Sequence, residues 1–192
     1  MTYKNKKGFT LIETLVAILI LSVSIAGPLT IASRGLGAAL QSKNKTVALY
    51  LAQDAMEFVR HVRDSNRLAG SPWLAGLDAC TSSDGGTTCT VDTIASEIHA
   101  CGFGCPVLYY NNPLHIFNYS APLDGGSDAT RVRTMFTRTV SILTPVCNSG
   151  GTVCNDANTE AQVMVQVSWT DVGGVSSKSR QMVIRENMFN WQ

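Results

Sequence analysis

Charge is scarce in this sequence. Its 192 residues hold 15 Lys and Arg against 14 Asp and Glu, 15% of the chain, for a formal net charge of +1. A surface that covers phosphates with cations is therefore not indicated, which argues against bulk nucleic-acid binding. Intrinsic disorder is excluded as well, because 45% of the residues are hydrophobic and the net charge is small. Histidine is limited to His61, His99 and His115. No Gly-x-Ser-x-Gly, phosphate loop or His-Glu-x-x-His is present, so the chain does not read as an enzyme and no cofactor is expected. The length suits one ordinary domain plus an appendage, and is too short for two full-sized domains.

Charge is missing altogether from Thr14 to Ser33, a run ended by Arg34. At about 1.5 Å per residue such a run covers a hydrocarbon layer of roughly 30 Å. No acid precedes Glu13, whereas Lys4, Lys6 and Lys7 do. That bias favours a cytoplasmic amino terminus and export of everything after Arg34. Arg34, Lys43 and Lys45 weaken the asymmetry without reversing it. A secretory signal cut near Ala32 and a plain single-span anchor are the simple alternatives. The run is longer than an ordinary signal's apolar region, and neither alternative explains Glu13. An ionised carboxylate there resists lipid by about 2–3 kcal/mol at mid-helix, less near the interface.

Proteolysis after Gly8 would resolve the problem. Phe9 would then carry a positively charged α-amine four residues from Glu13, in the first turns, where the helix dipole also favours an anion. The amine can neutralise Glu13 within one chain or from a neighbouring helix in a bundle. Such a buried pair gains little net stability but fixes register. Gly8 suits the cut because it puts no side chain in the way of a protease.

The segment Lys6-Lys7-Gly8-Phe9-Thr10-Leu11-Ile12-Glu13 resembles the prepilin processing motif of type IV pilins and of the pseudopilins of type II secretion. The resemblance implies cleavage between Gly8 and Phe9 by a membrane-embedded prepilin peptidase and N-methylation of Phe9 by the same peptidase/methyltransferase machinery. It also implies that Glu13 aligns subunits during filament assembly. The implied partners are other pilin subunits, the inner-membrane assembly machinery, and membrane lipid before assembly. The implied location is the cell membrane for a single-pass precursor, then an extracellular or periplasmic filament.

Helical periodicity continues past Arg34. Leu36, Leu40, Val47, Leu51, Phe58 and Val62 form one stripe, widened by Ala48, Ala52, Ala55 and Val59. Exit signals stand at Gly70-Ser71-Pro72. The expected organisation is a leader over 1–8, a helix over 9–66 that is transmembrane over 14–33, and a globular head over 67–192. Pro28, after Gly27, is expected to kink or loosen the helix. In the head, 68–130 reads as loop-rich with a short hairpin through Val107–Tyr110 and His115–Tyr119. Alternation over 131–142 and 162–169 predicts two half-buried strands, with a third through Met182-Val183-Ile184 whose core face alternation leaves open. The fold expected is α+β and pilin-like, the long helix packing its outer half on an antiparallel sheet.

Six cysteines lie beyond the apolar run: Cys80, Cys89, Cys101, Cys105, Cys147 and Cys154. An even count in an exported head points to disulfides. Pairing each cysteine with its neighbour, one of fifteen connectivities, ties off three Gly- or Ser-rich loops at about 2–3 kcal/mol each. A zinc site at His99, Cys101 and Cys105 is the rival for that pair, although no metal is the favoured reading. Asp84-Gly85-Gly86 and Asp124-Gly125-Gly126-Ser127-Asp128 fit ordinary turns better than calcium loops. Asn44-Lys45-Thr46 and Asn118-Tyr119-Ser120 fit the glycosylation sequon. Arg131, Arg133 and Arg138 read as solvated strand charges, with nucleic-acid contact through the head as a minor alternative. Tyr109, Tyr110, Phe117 and Tyr119 read as core rather than as a sticky surface.

Overall fold

The computed structural model describes residues 8–119, 130–146, 159–172 and 177–190. One helix, α1, runs over Leu11–Leu68. A short 3-10 turn at Asp78–Cys80 and eight strands follow: β1 Thr81–Ser82, β2 Cys89–Asp92, β3 Glu97–Ala100, β4 Val107–Asn111, β5 Ile116–Asn118, β6 Arg131–Leu143, β7 Glu160–Val172 and β8 Ser177–Phe189. The chain divides into two compact units, Met1–Lys43 and Asn44–Gln192. The outer part of α1 thus belongs to the same unit as the sheet, and the compact unit begins well before residue 67.

In the first unit residues 11–40 are exposed helix, over a largely apolar sequence. Leu36 and Leu40, expected to continue the buried stripe, are exposed. The helix is unbroken through Pro28. Its hydroxyls are turned inward on the backbone: Ser22 Oγ donates to Ile18 O, Ser24 Oγ to Ile20 O, Thr30 Oγ1 to Ala26 O and Ser33 Oγ to Thr30 O, all at 2.7–2.9 Å.

In the second unit, Ala48, Leu51, Ala52, Ala55, Met56 and Val59 form the buried face of α1, with Val47, Phe58 and Val62 packed beside it. Spacings of three and four keep these residues on one side of a 3.6-residue helix, where they join the buried strand residues in one core. Strand β7 supplies the matching surface: Ala161, Val163, Val165, Val167 and Trp169 are buried at every second position, as period-two geometry requires. Trp73 and Leu77 from the chain after the helix complete this core.

The sheet is eight-stranded and centred on β6. β6 pairs antiparallel with β7 over Thr137–Leu143 and with β4 over Arg131–Thr137. It meets β2 at Val140, and two-residue β1 pairs with it in parallel. β7 pairs antiparallel with β8 along its full length. The third strand is therefore β8, and its half-buried or buried residues Arg180, Met182, Ile184, Glu186 and Met188 mark the inward face. The stretch read as loop-rich contains an additional antiparallel hairpin, β2 with β3.

Polar ties fasten α1 to the strands at three heights. Asn44 Nδ2 donates to Asp171 Oδ1 at 3.1 Å, Arg138 Nη1 to Asp54 Oδ2 at 2.7 Å, and Arg60 pairs with Glu186. At its end, the helix stops as the glycine signal predicts. Gly70 has φ of 70°, Ser71 N–H donates to Asn66 O and Gly70 N–H to Arg67 O. Those two bonds are the Schellman pattern, which a left-handed residue makes possible.

Candidate functional site

Gly8, Phe9 and Glu13 stand together at the start of the chain's described part. Gly8, Phe9 and Thr10 are exposed and precede the helix, which begins at Leu11. Thr10 caps it: the Glu13 N–H donates to Thr10 Oγ1 at 3.3 Å and to Thr10 O at 3.1 Å, and the Thr14 N–H donates to Thr10 O at 3.2 Å. With Thr10 at the cap and Glu13 three residues on, the spacing is that of a capping box. This role of Thr10 went unread in the sequence, although Thr-x-x-Glu ahead of an apolar run is its usual signature. The consequence is geometric. The bond between Gly8 and Phe9 lies in unwound, solvent-open chain, and Glu13 lies one turn inside the helix where the dipole favours its charge. Behind it, Leu11–Leu68 contains a window of mean hydropathy 2.4, long and apolar enough to cross a membrane.

Residues 3–27 match the family model for the prokaryotic N-terminal methylation motif. The chain has a prepilin-type amino terminus. This motif is that of type IV pilins and pseudopilins, and it implies processing by a prepilin peptidase, assembly with other pilins and membrane anchoring of the precursor. The prepilin-type segment covers the first part of the chain only. No curated protein and no solved structure matches the chain.

The other candidates lie in the head of this prepilin-type chain. Cys80 is bonded to Cys89 and Cys101 to Cys105; Cys147 and Cys154 lie outside the described residues. The Cys101–Cys105 bond removes the thiolates that the zinc reading needs, and His99 instead stands 3.2 Å from Glu97 on the exposed strand β3. Among the described residues, no three His, Cys, Asp or Glu side chains are gathered as a metal cluster. Asp84 Oδ1 accepts the Gly86 N–H at 2.9 Å. That bond, with the Ser82 hydroxyl behind it, holds the Asp84 carboxyl below the usual carboxylate range and makes the segment a turn. The second acidic loop, 124–128, is outside the described residues.

Arg138 overturns its expected role. It is not a solvated strand charge: it is 1% exposed, and its guanidinium donates to Leu51 O, Asp54 Oδ2 and Val91 O. Alternation itself puts Arg138 on the buried face of β6 with Phe136, Val140 and Ile142; the solvated reading rested on its charge alone. A cation there is taken up by acceptors from α1 and β2. Tyr119 lies beside it, its ring centroid 5.9 Å from the guanidinium and its hydroxyl donating to Arg138 O. Burial pushes the Tyr119 hydroxyl's pKa up, with the Arg138 charge opposing. Arg133 remains exposed. Asn118 of the second sequon is buried, and Asn44 of the first is engaged with Asp171. Tyr109 and Tyr110 are half-buried, the Tyr110 ring lying tilted against Phe117 with centroids 5.1 Å apart.

Proposed function

We propose that this chain is a structural subunit of a type IV pilus, a minor pilin, without enzymatic activity. The observation that carries this reading is the methylation motif at residues 3–27 joined to a capped helix whose apolar first part carries a single acid near its start. The capped geometry supports cleavage after Gly8, since a peptidase meets extended chain and has no helix to unwind. The new Phe9 amine, once methylated, faces Glu13 of its own chain or of the next subunit. In a lipid-poor bundle each unpaired alignment leaves a charge buried, so the pair sets the axial register. The head, closed by disulfides, is then carried on the outer part of the helix. That disulfide-bearing head favours a pilus subunit over a secretion pseudopilin.

Mass spectrometry of the mature protein is expected to find N-methyl-phenylalanine at position 9. A chain beginning at Met1 or near Arg34 refutes the reading. Glu13→Ala is expected to abolish incorporation into sheared filaments while membrane insertion persists; normal incorporation refutes the alignment role. Loss of pili on deleting the gene, with secretion intact, separates the pilus from the pseudopilus.

A further inference from the structure

Sheet register brings several chain segments to one end of the second unit. Asn44 Nδ2 donates to Asp171 Oδ1, so α1 enters this unit beside the end of β7. Thr137 of β6 pairs with Ser168, and Ser177 of β8 pairs with Val172, which puts the starts of β6 and β8 at that end too. Asn111 pairs with Arg131 and with Ile116, so the turn from β4 to β5 lies there as well.

Unpaired cations and exposed apolar side chains coincide on this rim. Lys45, Arg133 and Lys178 are exposed and form no ion pair among the described residues. Among the described residues the acid at this end is Asp171, whose oxygens are taken by Asn44, Trp169 and Arg180. Counting Asp124 and Asp128, which precede β6 in sequence, still leaves cations in excess, since Arg131 and Arg180 stand here too. At the other end Arg60 is taken up by Glu57 and Glu186. Leu114 and Val132 are exposed on the rim at 64% and 50%. The turn that carries Leu114 is fastened: its N–H donates to Asn111 Oδ1 at 3.3 Å, and the Tyr110 hydroxyl stands 2.8 Å from His115 Nδ1. A fastened turn loses little freedom on making a contact.

Apolar side chains set among unpaired cations suit a surface of anionic headgroups over hydrocarbon. A nucleic acid would meet the same cations but leave Leu114 and Val132 in water. Chain length points the same way. Arg34 ends the uncharged run Thr14–Ser33, and the stretch from Arg34 to Asn44 measures about 15 Å as helix. That stretch enters the second unit at the rim, and so short a tether gives a lipid surface a high effective concentration there. Weak contacts then suffice.

We propose that this rim rests on an anionic phospholipid surface. Lys45, Arg133 and Lys178 meet headgroup phosphates, and Leu114 and Val132 enter the layer beneath. The contact holds the head of the precursor on its membrane and is given up when the chain joins a filament. It rests on the membrane-anchored precursor of the reading above, and adds a second hold on the bilayer that is separable from the apolar helix.

The test reconstitutes the oxidised full chain into vesicles of phosphatidylcholine, alone or mixed with phosphatidylglycerol. A benzophenone amino acid replaces Leu114 or, as a control, the exposed Leu68 at the end of α1. After irradiation, mass spectrometry is expected to find lipid adducts at position 114 in the mixed vesicles and none at position 68. Arg133→Gln and Lys178→Gln, both exposed changes, are each expected to lower the yield about fivefold, the factor that goes with one cation near an anionic surface. Salt at about 1 M, where the Debye length falls to about 3 Å, is expected to erase the dependence on phosphatidylglycerol. If the chain floats with the vesicles but position 114 gives no lipid adduct, equal yields in both vesicle types, no more than position 68, or an adduct to another chain, the rim contact is refuted and the anchored reading stands. If the chain does not float with the vesicles, the anchored reading fails and the rim contact with it.

Discussion

Arg138→Ala is expected to be the most damaging single replacement among the polar residues of the head. The guanidinium is 1% exposed and donates to two backbone carbonyls and one carboxylate drawn from α1 and β2. Hydrogen bonds made by charged groups contribute about 1.5–3 kcal/mol each, and breaking a buried ion pair costs roughly 3–5 kcal/mol. Those figures are not additive here. The Asp54 side chain is 47% exposed and keeps its Thr93 partner, so water and Thr93 recover much of its loss. The uncompensated part is the buried Val91 carbonyl and the cavity left by the side chain. We expect a loss of about 3 kcal/mol, seen as a midpoint lowered by roughly 6–12 °C at 2–4 °C per kcal/mol. The assay is thermal unfolding of the detergent-solubilised, oxidised full chain, followed through tryptophan emission. Arg138→Lys keeps the charge but reaches fewer acceptors, so about half the loss is expected. High salt is expected to leave both shifts in place, because buried charges are little screened. A loss under about 1 kcal/mol, the level of an exposed pair, or one erased by salt would refute the reasoning.

Gly70→Ala is expected to destabilise the head by about 1 kcal/mol, because alanine resists the left-handed backbone that the helix stop requires; chemical unfolding midpoints check this, and an unchanged midpoint counts against the motif. Arg60→Ala, removing the pair with Glu186 and Glu57, is expected to cost under about 1 kcal/mol and to lose its effect at high salt. Asp171 gives a pH dependence. The Asn44 amide, with the Trp169 indole and Arg180 behind it and desolvation opposing, holds its carboxyl below the ordinary value. A depressed carboxylate adds stability that is complete above its unfolded pKa of about 3.9 and is lost as pH falls through the lower folded value. Unfolding between about pH 5 and pH 2 is therefore expected to show a steeper acid limb for the parent than for Asn44→Ala; identical limbs would sink the assignment.

The elements legible in the sequence were those whose environment is uniform along their length. Strand β7 alternates cleanly because one face is buried in the core from Ala161 to Trp169, and the β4–β5 hairpin announces itself through Asn112-Pro113. Strand β2 was not legible: Cys89, Thr90, Val91 and Asp92 are all buried, so period two is absent, and the polar members look like loop. Arg138 was misread for the opposite reason: period two puts it on the buried face with Phe136, Val140 and Ile142, and its charge was read over its position because the acceptors that hold it come from distant segments. Leu36 and Leu40 match the helical stripe by spacing, but among the described residues of their own compact unit no strand occurs to cover them. At the amino terminus the motif was plain, and the Thr10 cap was available in the same residues. The charge of Glu13 drew the reading toward assembly and away from the helix start.

The inward-turned hydroxyls of Ser22, Ser24, Thr30 and Ser33 bear on how such a helix changes surroundings. Each finds its acceptor on the preceding turn of its own chain, so none depends on water, lipid or a neighbour for a partner. Transfer of this segment from a fluid bilayer into a tight protein bundle, or back again, leaves those four bonds intact. On the proposed reading, traffic between the two media would be governed by packing and by the Glu13 carboxylate, with no rehydration of these four hydroxyls in the reverse step.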